Sequence, residues 1–520
     1  MTLHWLDIGV LAFYFLGIVA FGLWVARKKN KNTDEYFLGG RSFPGWAVGI
    51  SLLGTMISSL TFLAYPADAF KTAWMRFAPN LLFPVMALIA AYFFIPFFRR
   101  GTITSAYQYL SLRFGSGISA YTASIFLLSQ LMRTATITYL LALLMATLLP
   151  ISVEGCILIA GGFTAVYAVK GGFEAVIWTE VVQTAVLIIG AIVSIVLIVY
   201  HIPGGLPQIF KEAFAAGKIS FMDLDVATNT LVPTGYHLSI FEKTVPMLMI
   251  LGFFMHLTAK LDQTTVQRWC SARTAKDARK SMWILAIFSL PIWGGFMFLG
   301  TCLWVYFQHN PCSFSEEILS GARKAEEILP YFIVNMLPPG VSGLVVAGAL
   351  AASMSALAGS ISASSMVCVH DIYRPFLVKM ASDRHYLIMG KLASLGIALL
   401  MMFFAYLFYH ADSKTFSDLG LIVTALVGGG TASIFLLGMF TRVGDSRAVF
   451  VGILCTLLFT IWAMFMQFGL LEVKFDLYYT ALIGNVIMFA TSYAAGILIK
   501  PKQRNLTNLT VWDKSNDTLV

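Results

Sequence analysis

Charge is scarce in this chain. Of 520 residues, 12% are Asp, Glu, Lys or Arg, roughly half the share in average soluble proteins. That excludes an ordinary soluble domain. Cysteine is thin as well. Its six copies, Cys156, Cys270, Cys302, Cys312, Cys368 and Cys455, are scattered and mostly lie in or beside apolar stretches. Such spacing gives neither a disulfide framework nor a zinc site. The eight histidines are dispersed, and neither HExxH nor GxxxxGK[ST] occurs. No metal triad, nucleophile–base pair or cofactor motif supports a membrane enzyme.

What the chain has instead is apolar length. It is 58% hydrophobic, gathered into runs near 5–26, 45–70, 77–98, 117–148, 153–169, 174–201, 245–263, 281–308, 340–370, 386–409, 419–440, 448–468 and 476–499. Each run is too long for a barrel strand, so helices are the element expected. The reading is an all-α polytopic membrane protein with about thirteen transmembrane helices. The run from Trp5 to Ala26 is followed by no small-residue cleavage site. It is expected to be a retained span and not a signal peptide.

The net charge of +9 is positional. Lys and Arg crowd one set of connections: Arg27, Lys28, Lys29, Lys31 and Arg41, then Arg99, Arg100 and Arg113, then Arg268 to Lys280, and later Arg374, Lys379, Arg384, Arg442, Arg447 and Lys500 to Arg504. The alternate connections hold few. The positive-inside rule then places the amino terminus outside and the carboxyl terminus in the cytoplasm. No nucleic-acid partner is implied. The long outer loops 202–244 and 309–339 are each expected to carry a short surface helix. The polar tail 505–520 reads as disordered. Its Asn-Leu-Thr triplets at Asn505 and Asn508 would be silent as glycosylation acceptors on the inner side.

Arg133 lies inside the run 117–148. A permanent cation at membrane depth is costly, and arginine does not shed its proton. It must face a partner, a wet cavity or an anionic ligand. Two readings stay open: a structural arginine bound to backbone carbonyls, and an anchor for a carboxylate in transit. In the second span, Gly49, Gly54, Ser58, Ser59 and Thr61 interrupt the apolar run. They suit either an opened helix or close packing through small residues. Lys260 and His256 are four apart and share a helix face. Lys260 is expected to pair with Asp262 or snorkel toward the inner interface, and His256 to be a packed, satisfied ring.

Four segments carry a resemblance: Glu35-Tyr36-Phe37-Leu38-Gly39-Gly40-Arg41, the stretch Gly171–Gln183 (GGFEAVIWTEVVQ), Asp262–Trp269 (DQTTVQRW), and Asp371-Ile372-Tyr373 closing a serine-rich run. In this order and spacing they resemble the sodium:solute symporter family over nearly the whole chain. The resemblance implies a core of two five-helix repeats of inverted topology. The organisation implied is an extra first helix and linker at 1–44, a first repeat at 45–201, an outer loop at 202–244, a second repeat at 245–440, two extra helices at 441–504 and the tail at 505–520.

The family's common sodium site would use backbone carbonyls of Gly54, Ile57 and Ala352 and hydroxyls at 355 and 356. Ser355 keeps its oxygen and Ala356 has none, so one oxygen ligand is missing for a hard cation that prefers oxygen. Ser353 lies about 200° round the helix from Ser355 and is a poor substitute. A second sodium site known in some relatives would need hydroxyls where Ala358 and Gly359 stand, so a second ion is not expected. Its acidic position matches Glu180. That residue reads as a coupling or gating carboxylate, or as an interfacial acid in contact with water.

Arg133 matches the substrate-carboxylate arginine of the family's sialic acid branch. Ser58 and Thr61 match two hydroxyl positions of that pocket, Asn80 stands for a glutamine, Met56 for a threonine and Arg76 for an aromatic residue. The segments 102–107 and 133–140 are similar to that branch too. The tenth core helix, Leu421–Gly430, lacks the polar amide of the neutral-sugar branch. The expected activity is sodium-coupled symport of a carboxylated sugar across the bilayer, with Na+ as coupling ion and no catalysis. A neutral sugar, a monocarboxylate, an amino acid or a vitamin, proton coupling, and a nutrient sensor on the same scaffold remain alternatives.

Overall fold

The computed structural model describes residues 3–27, 30–57, 59–99, 103–225, 230–410, 430–472, 475–499 and 506–512, with backbone alone at 59 and 60. Ser58, Thr102 and positions 421–429 of the expected tenth core helix lie outside them. Among the described residues nine helices are long and apolar enough to cross a membrane. We label the principal elements α1 (Trp5–Val25), α2 (Thr33–Leu38), α3 (Gly45–Met56), α4 (Ser59–Lys71), α5 (Met75–Arg99), α6 (Ala106–Phe114), α7 (Ser116–Leu148), α8 (Val153–His201), α9 (Gly205–Ala215), α10 (Val245–Lys260), α11 (Gln263–Ser271) and α12 (Ala275–His309). After them come α13 (Ser313–Leu319), α14 (Ile328–Met336), α15 (Val341–Leu377), α16 (Asp383–His410), α17 (Thr431–Phe440), α18 (Ser446–Gln467) and α19 (Leu477–Leu498).

Two pairs form bent spans, α3 with α4 at 57° and α10 with α11 at 56°. The first break has Ile57 in an extended conformation, φ −98° and ψ 116°. The second restarts at Asp262, whose carboxylate accepts from Thr265 N at 3.0 Å as a helix N-cap. Helix ends leave their last carbonyls without intrahelical donors. Both spans therefore offer polar backbone at their breaks, and the broken helix is the reading of Gly54 to Thr61 that the backbone supports.

α8 is 49 residues, about 74 Å at 1.5 Å per residue, against roughly 30 Å of hydrocarbon. It is two helices joined at Gly172, where φ is 63° and ψ −154°. A Cβ there would lie 2.7 Å from the Tyr36 carbonyl oxygen, so only glycine suits the joint. This matches the two runs expected at 153–169 and 174–201.

α15 runs through the centre, 94% of its apolar window buried. Its alanines, glycines and serines let neighbouring backbones approach closely. Asp7 of α1 fixes its amino-terminal end by accepting from Gly340 N at 2.7 Å and Gly343 N at 2.8 Å.

The long loops 202–244 and 309–339 depart from expectation. Beyond the helix α9, the first contains an antiparallel hairpin, β1 (Met222–Asp225) with β2 (Thr230–Pro233), Met222 opposite Pro233. The fold is thus not wholly α. The second loop holds two short helices, α13 and α14. Lys218 donates to the carbonyls of Phe70 (2.8 Å), Lys71 (3.3 Å) and Thr72 (2.8 Å), which ties the first loop to the end of α4. Burial pushes its ammonium down to about 7. The tail also departs from disorder within 506–512. Val511 N donates to Met439 O at 2.9 Å and Trp512 Nε1 to Phe440 O at 2.8 Å. The end carbonyls of α17 supply the acceptors.

Candidate functional site

Arg133 sits on the face of α7 that also carries buried Gln130 and Ile137, because residues three and four apart share a helix face. That face looks into the protein, yet Arg133 is exposed. An interior-facing residue reached by solvent lines a wet cleft. Its Nη2 donates to Thr55 O at 3.4 Å, one of the carbonyls at the end of α3. Asp262 and Arg268 are the charges acting on it. A backbone partner and solvent exposure are both present, and among the described residues Thr55 O takes only one of the guanidinium donors.

Around it the breaks bring together groups from four helices. Met56 ends α3 half-buried, and Thr61 on α4 is buried. Asn80 is buried near the start of α5 and donates to Tyr65 Oη at 2.9 Å. His256 Nε2 meets Asn80 Oδ1 at 3.1 Å, and its ring stacks on Trp293 and abuts Phe83 edge-on. The satisfied histidine expected of the sequence is therefore one member of a polar chain, His256–Asn80–Tyr65. Arg76 pairs with Asp68, both partly exposed, and its guanidinium stands 5.9 Å from the Tyr65 ring centre.

Lys260 corrects an expectation. It is 2% exposed, so it does not snorkel, and no carboxylate lies within 4 Å of its Nζ among the described residues. Asp262 is held instead by its own helix start. The ammonium rests 3.4 Å from Met56 Sδ and 5.4 Å from the Phe83 ring centre.

A second cluster surrounds the end of α3. Gly54 lies where a Cβ would fall 2.2 Å from Thr184 Oγ1 and 3.1 Å from Ser355 Oγ. Only a bare Cα lets hydroxyls of α8 and α15 converge on it. Ser355 Oγ is buried with no hydrogen-bond partner among the described residues, an orphan that needs a reason. Ile57, Ala352 and Ala356 are buried beside it in the same core. Ser353 bonds back to Ala349 O at 3.1 Å, in keeping with its unsuitable face.

Glu180 corrects another reading. It is 0% exposed and bonded to Arg268 Nη2 at 2.6 Å, so it is not an interfacial acid in water. Ser51 Oγ also donates to it, and Arg268 Nε donates to Ser51 Oγ at 2.8 Å. Arg268 Nη1 reaches Thr264 O at 2.6 Å. The absent side chain at Gly359 makes room, since a Cβ there would lie 2.6 Å from Arg268 Nη2. A guanidinium therefore fills the space beside Glu180.

A model of the sodium:solute symporter family matches residues 36–456. The chain belongs to the sodium:solute symporter family. It is a multi-pass transporter whose coupling ion is sodium. It is 28% identical to the sodium/sialic acid symporter SiaT of Proteus mirabilis, over 97% of this chain and 98% of that one. It is 28% identical to the sodium/sialic acid symporter NanT of Aliivibrio fischeri, over 94% and 93%. A solved Na+-coupled sialic acid symporter in a substrate-bound, outward-open state superposes with a TM-score of 0.85 at 28% identity, covering 96% of this chain and 99% of that one.

Within this family member, three groups escaped the sequence reading. Thr184 is one turn beyond Glu180 on the same face of α8, a spacing that could have revealed it. Tyr65 and Phe83 gave no signal, because an aromatic residue in an apolar span reads as packing.

Proposed function

We propose that the protein imports a carboxylated sugar of the sialic acid type by sodium symport, with alternating access. The observation that carries this is Arg133, interior-facing yet solvent-reached, with donors to spare beside a broken helix. A bidentate arginine–carboxylate contact supplies both energy and orientation. Met56, Thr61, Asn80 and, from sequence alone, Ser58 are the other candidate lining positions. The likeness to two sialic acid symporters over nearly full length supports the sugar.

The sodium ion is assigned to Gly54, Ile57, Ala352 and Ser355. The unpartnered Ser355 hydroxyl fits a cation ligand, since a bound ion would satisfy it. Thr184 Oγ1 takes the part of the hydroxyl missing at Ala356. Its proton goes to Glu180 O at 2.7 Å, which leaves lone pairs facing the site. Thr184→Val and Ser355→Ala should each raise the sodium concentration for half-maximal uptake about tenfold, the weight of one charge-assisted contact. An unchanged sodium dependence in Thr184→Val would remove it from the ion site.

The architecture proposed is thirteen spans. α8 counts as two, each bent pair as one, and a span ending in α17 completes the set around the inverted repeats 45–201 and 245–440. The basic connections support a cytoplasmic carboxyl terminus, and the bacterial relatives support an inner membrane. Coupling requires sodium and substrate to favour the same state of the carrier. The test is uptake of radiolabelled N-acetylneuraminic acid into proteoliposomes with and without an inward sodium gradient. Accumulation should appear only with the gradient, and its absence under both conditions would overturn the sugar assignment.

A further inference from the structure

Two cations bracket the end of α3. Arg133 Nη2 reaches the carbonyl of Thr55, and Lys260 Nζ rests on the sulfur of the next residue, Met56. They come from different helices, α7 and α10. Arg133 is open to solvent, while Lys260 is 98% buried, its contacts among the described residues being a thioether and an aromatic face. A thioether is a weak acceptor, and a face-on ring offsets only part of a buried cation's desolvation. A buried ammonium costs several kcal/mol unless paired.

The charges that act on Lys260 are Asp262, Arg268 and Arg133. Arg268 is neutralised by Glu180 at 2.6 Å. That leaves Arg133 and Lys260 to share Asp262, whose carboxylate already caps α11. The cleft is therefore one negative charge short. Lys260 ends its helix, where the macrodipole favours a cation. That offsets only part of the burial cost.

We propose that Lys260 is a second cationic anchor for the substrate, leaving Met56 Sδ to donate to the carboxylate that Arg133 also binds. This rests on the carboxylate reading given above. An anion between the two restores neutrality, removes the mutual repulsion of the cations and satisfies the ammonium. It also explains a methionine at 56: a thioether holds the ammonium in the empty state and releases it at little cost. A hydroxyl or carboxylate there would compete with the substrate.

The test is Lys260→Met, similar in length and uncharged, purified with sodium present. Two quantities are read: the ligand-free thermal midpoint and the affinity for N-acetylneuraminic acid by calorimetry. The proposal expects the midpoint to hold or rise, because an unpaired charge leaves the interior, while affinity falls 10- to 100-fold. A lower midpoint with unchanged affinity would make Lys260 a structural residue and overturn the proposal. Should wild-type protein show no binding of this sugar, the sugar assignment fails on its own. The affinity arm then moves to whichever of glucuronate, gluconate, lactate or pyruvate raises the wild-type midpoint. If none of these does, or if only a neutral sugar binds and Lys260→Met leaves its affinity intact, the anchor fails as well.

Discussion

Arg133→Ala should lower uptake of the carboxylate substrate by about 100-fold or more, with normal membrane insertion. Truncating one partner of a desolvated charge pair costs roughly 2–5 kcal/mol, and each 1.4 kcal/mol is about tenfold. Because the cleft is wet in the ligand-free state, the larger values apply once substrate has displaced that water. The one bond Arg133 makes among the described residues, to Thr55 O at 3.4 Å, is long. Its loss should barely affect folding. Arg133→Lys keeps the charge but loses the planar fork that matches a carboxylate, so it should fall between wild type and alanine. Uptake into proteoliposomes gives the activity, and size-exclusion profile with surface yield gives the insertion. Unchanged uptake by Arg133→Ala would take the residue out of the mechanism.

Arg133 was legible because arginine in an apolar run has few bland explanations. The spans were legible for the same reason: hydrocarbon leaves a chain only helices that satisfy their own backbone. Gly172 was harder, since its apolar flanks read as two runs without showing how they join. The loop hairpin and the packed tail 506–512 were missed. Neither carries the long periodic pattern that marks a span, and each is settled by contacts distant in sequence. Trp512 on Phe440 O is one such contact.

The ion site was half legible. Ser355 and the gap at Ala356 could be read directly, but Thr184 could not be placed beside Gly54 until α3, α8 and α15 were in register. Lys260 shows the limit from the other side. Its sequence neighbour Asp262 suggested a pair. The break after Leu261 turns that carboxylate into the cap of α11 instead, and the ammonium finds Met56.

The second large effect concerns Arg268. With Glu180 and Ser51 it joins α3, α8 and α11 at a point 0% exposed, where the bare Cα of Gly359 on α15 makes room. α3 begins beside the basic linker that carries Arg41, so this cluster lies between the cleft and the face proposed as cytoplasmic. In the transport cycle proposed above, this cluster would close the path beneath Arg133. Arg268→Ala leaves Glu180 buried without its partner, a loss of roughly 3–5 kcal/mol in other proteins. The expected result is a thermal midpoint lower by several degrees, on the order of 2–4 °C per kcal/mol for domains of about 150–250 residues and less for a chain this long, together with loss of gradient-driven uptake. Pairing the change with Glu180→Gln separates two roles. Removing both charges ends the burial penalty, and such replacements are often close to neutral in stability. The double variant should therefore recover most of the midpoint. It should not recover tight coupling, because the closed state loses the contact that holds its helices together while the open state loses nothing. Sodium would then leak down its gradient without substrate, measurable as substrate-free sodium efflux from loaded liposomes. A double variant that recovers both stability and tight coupling would show that the ion pair holds the fold and does not gate the path.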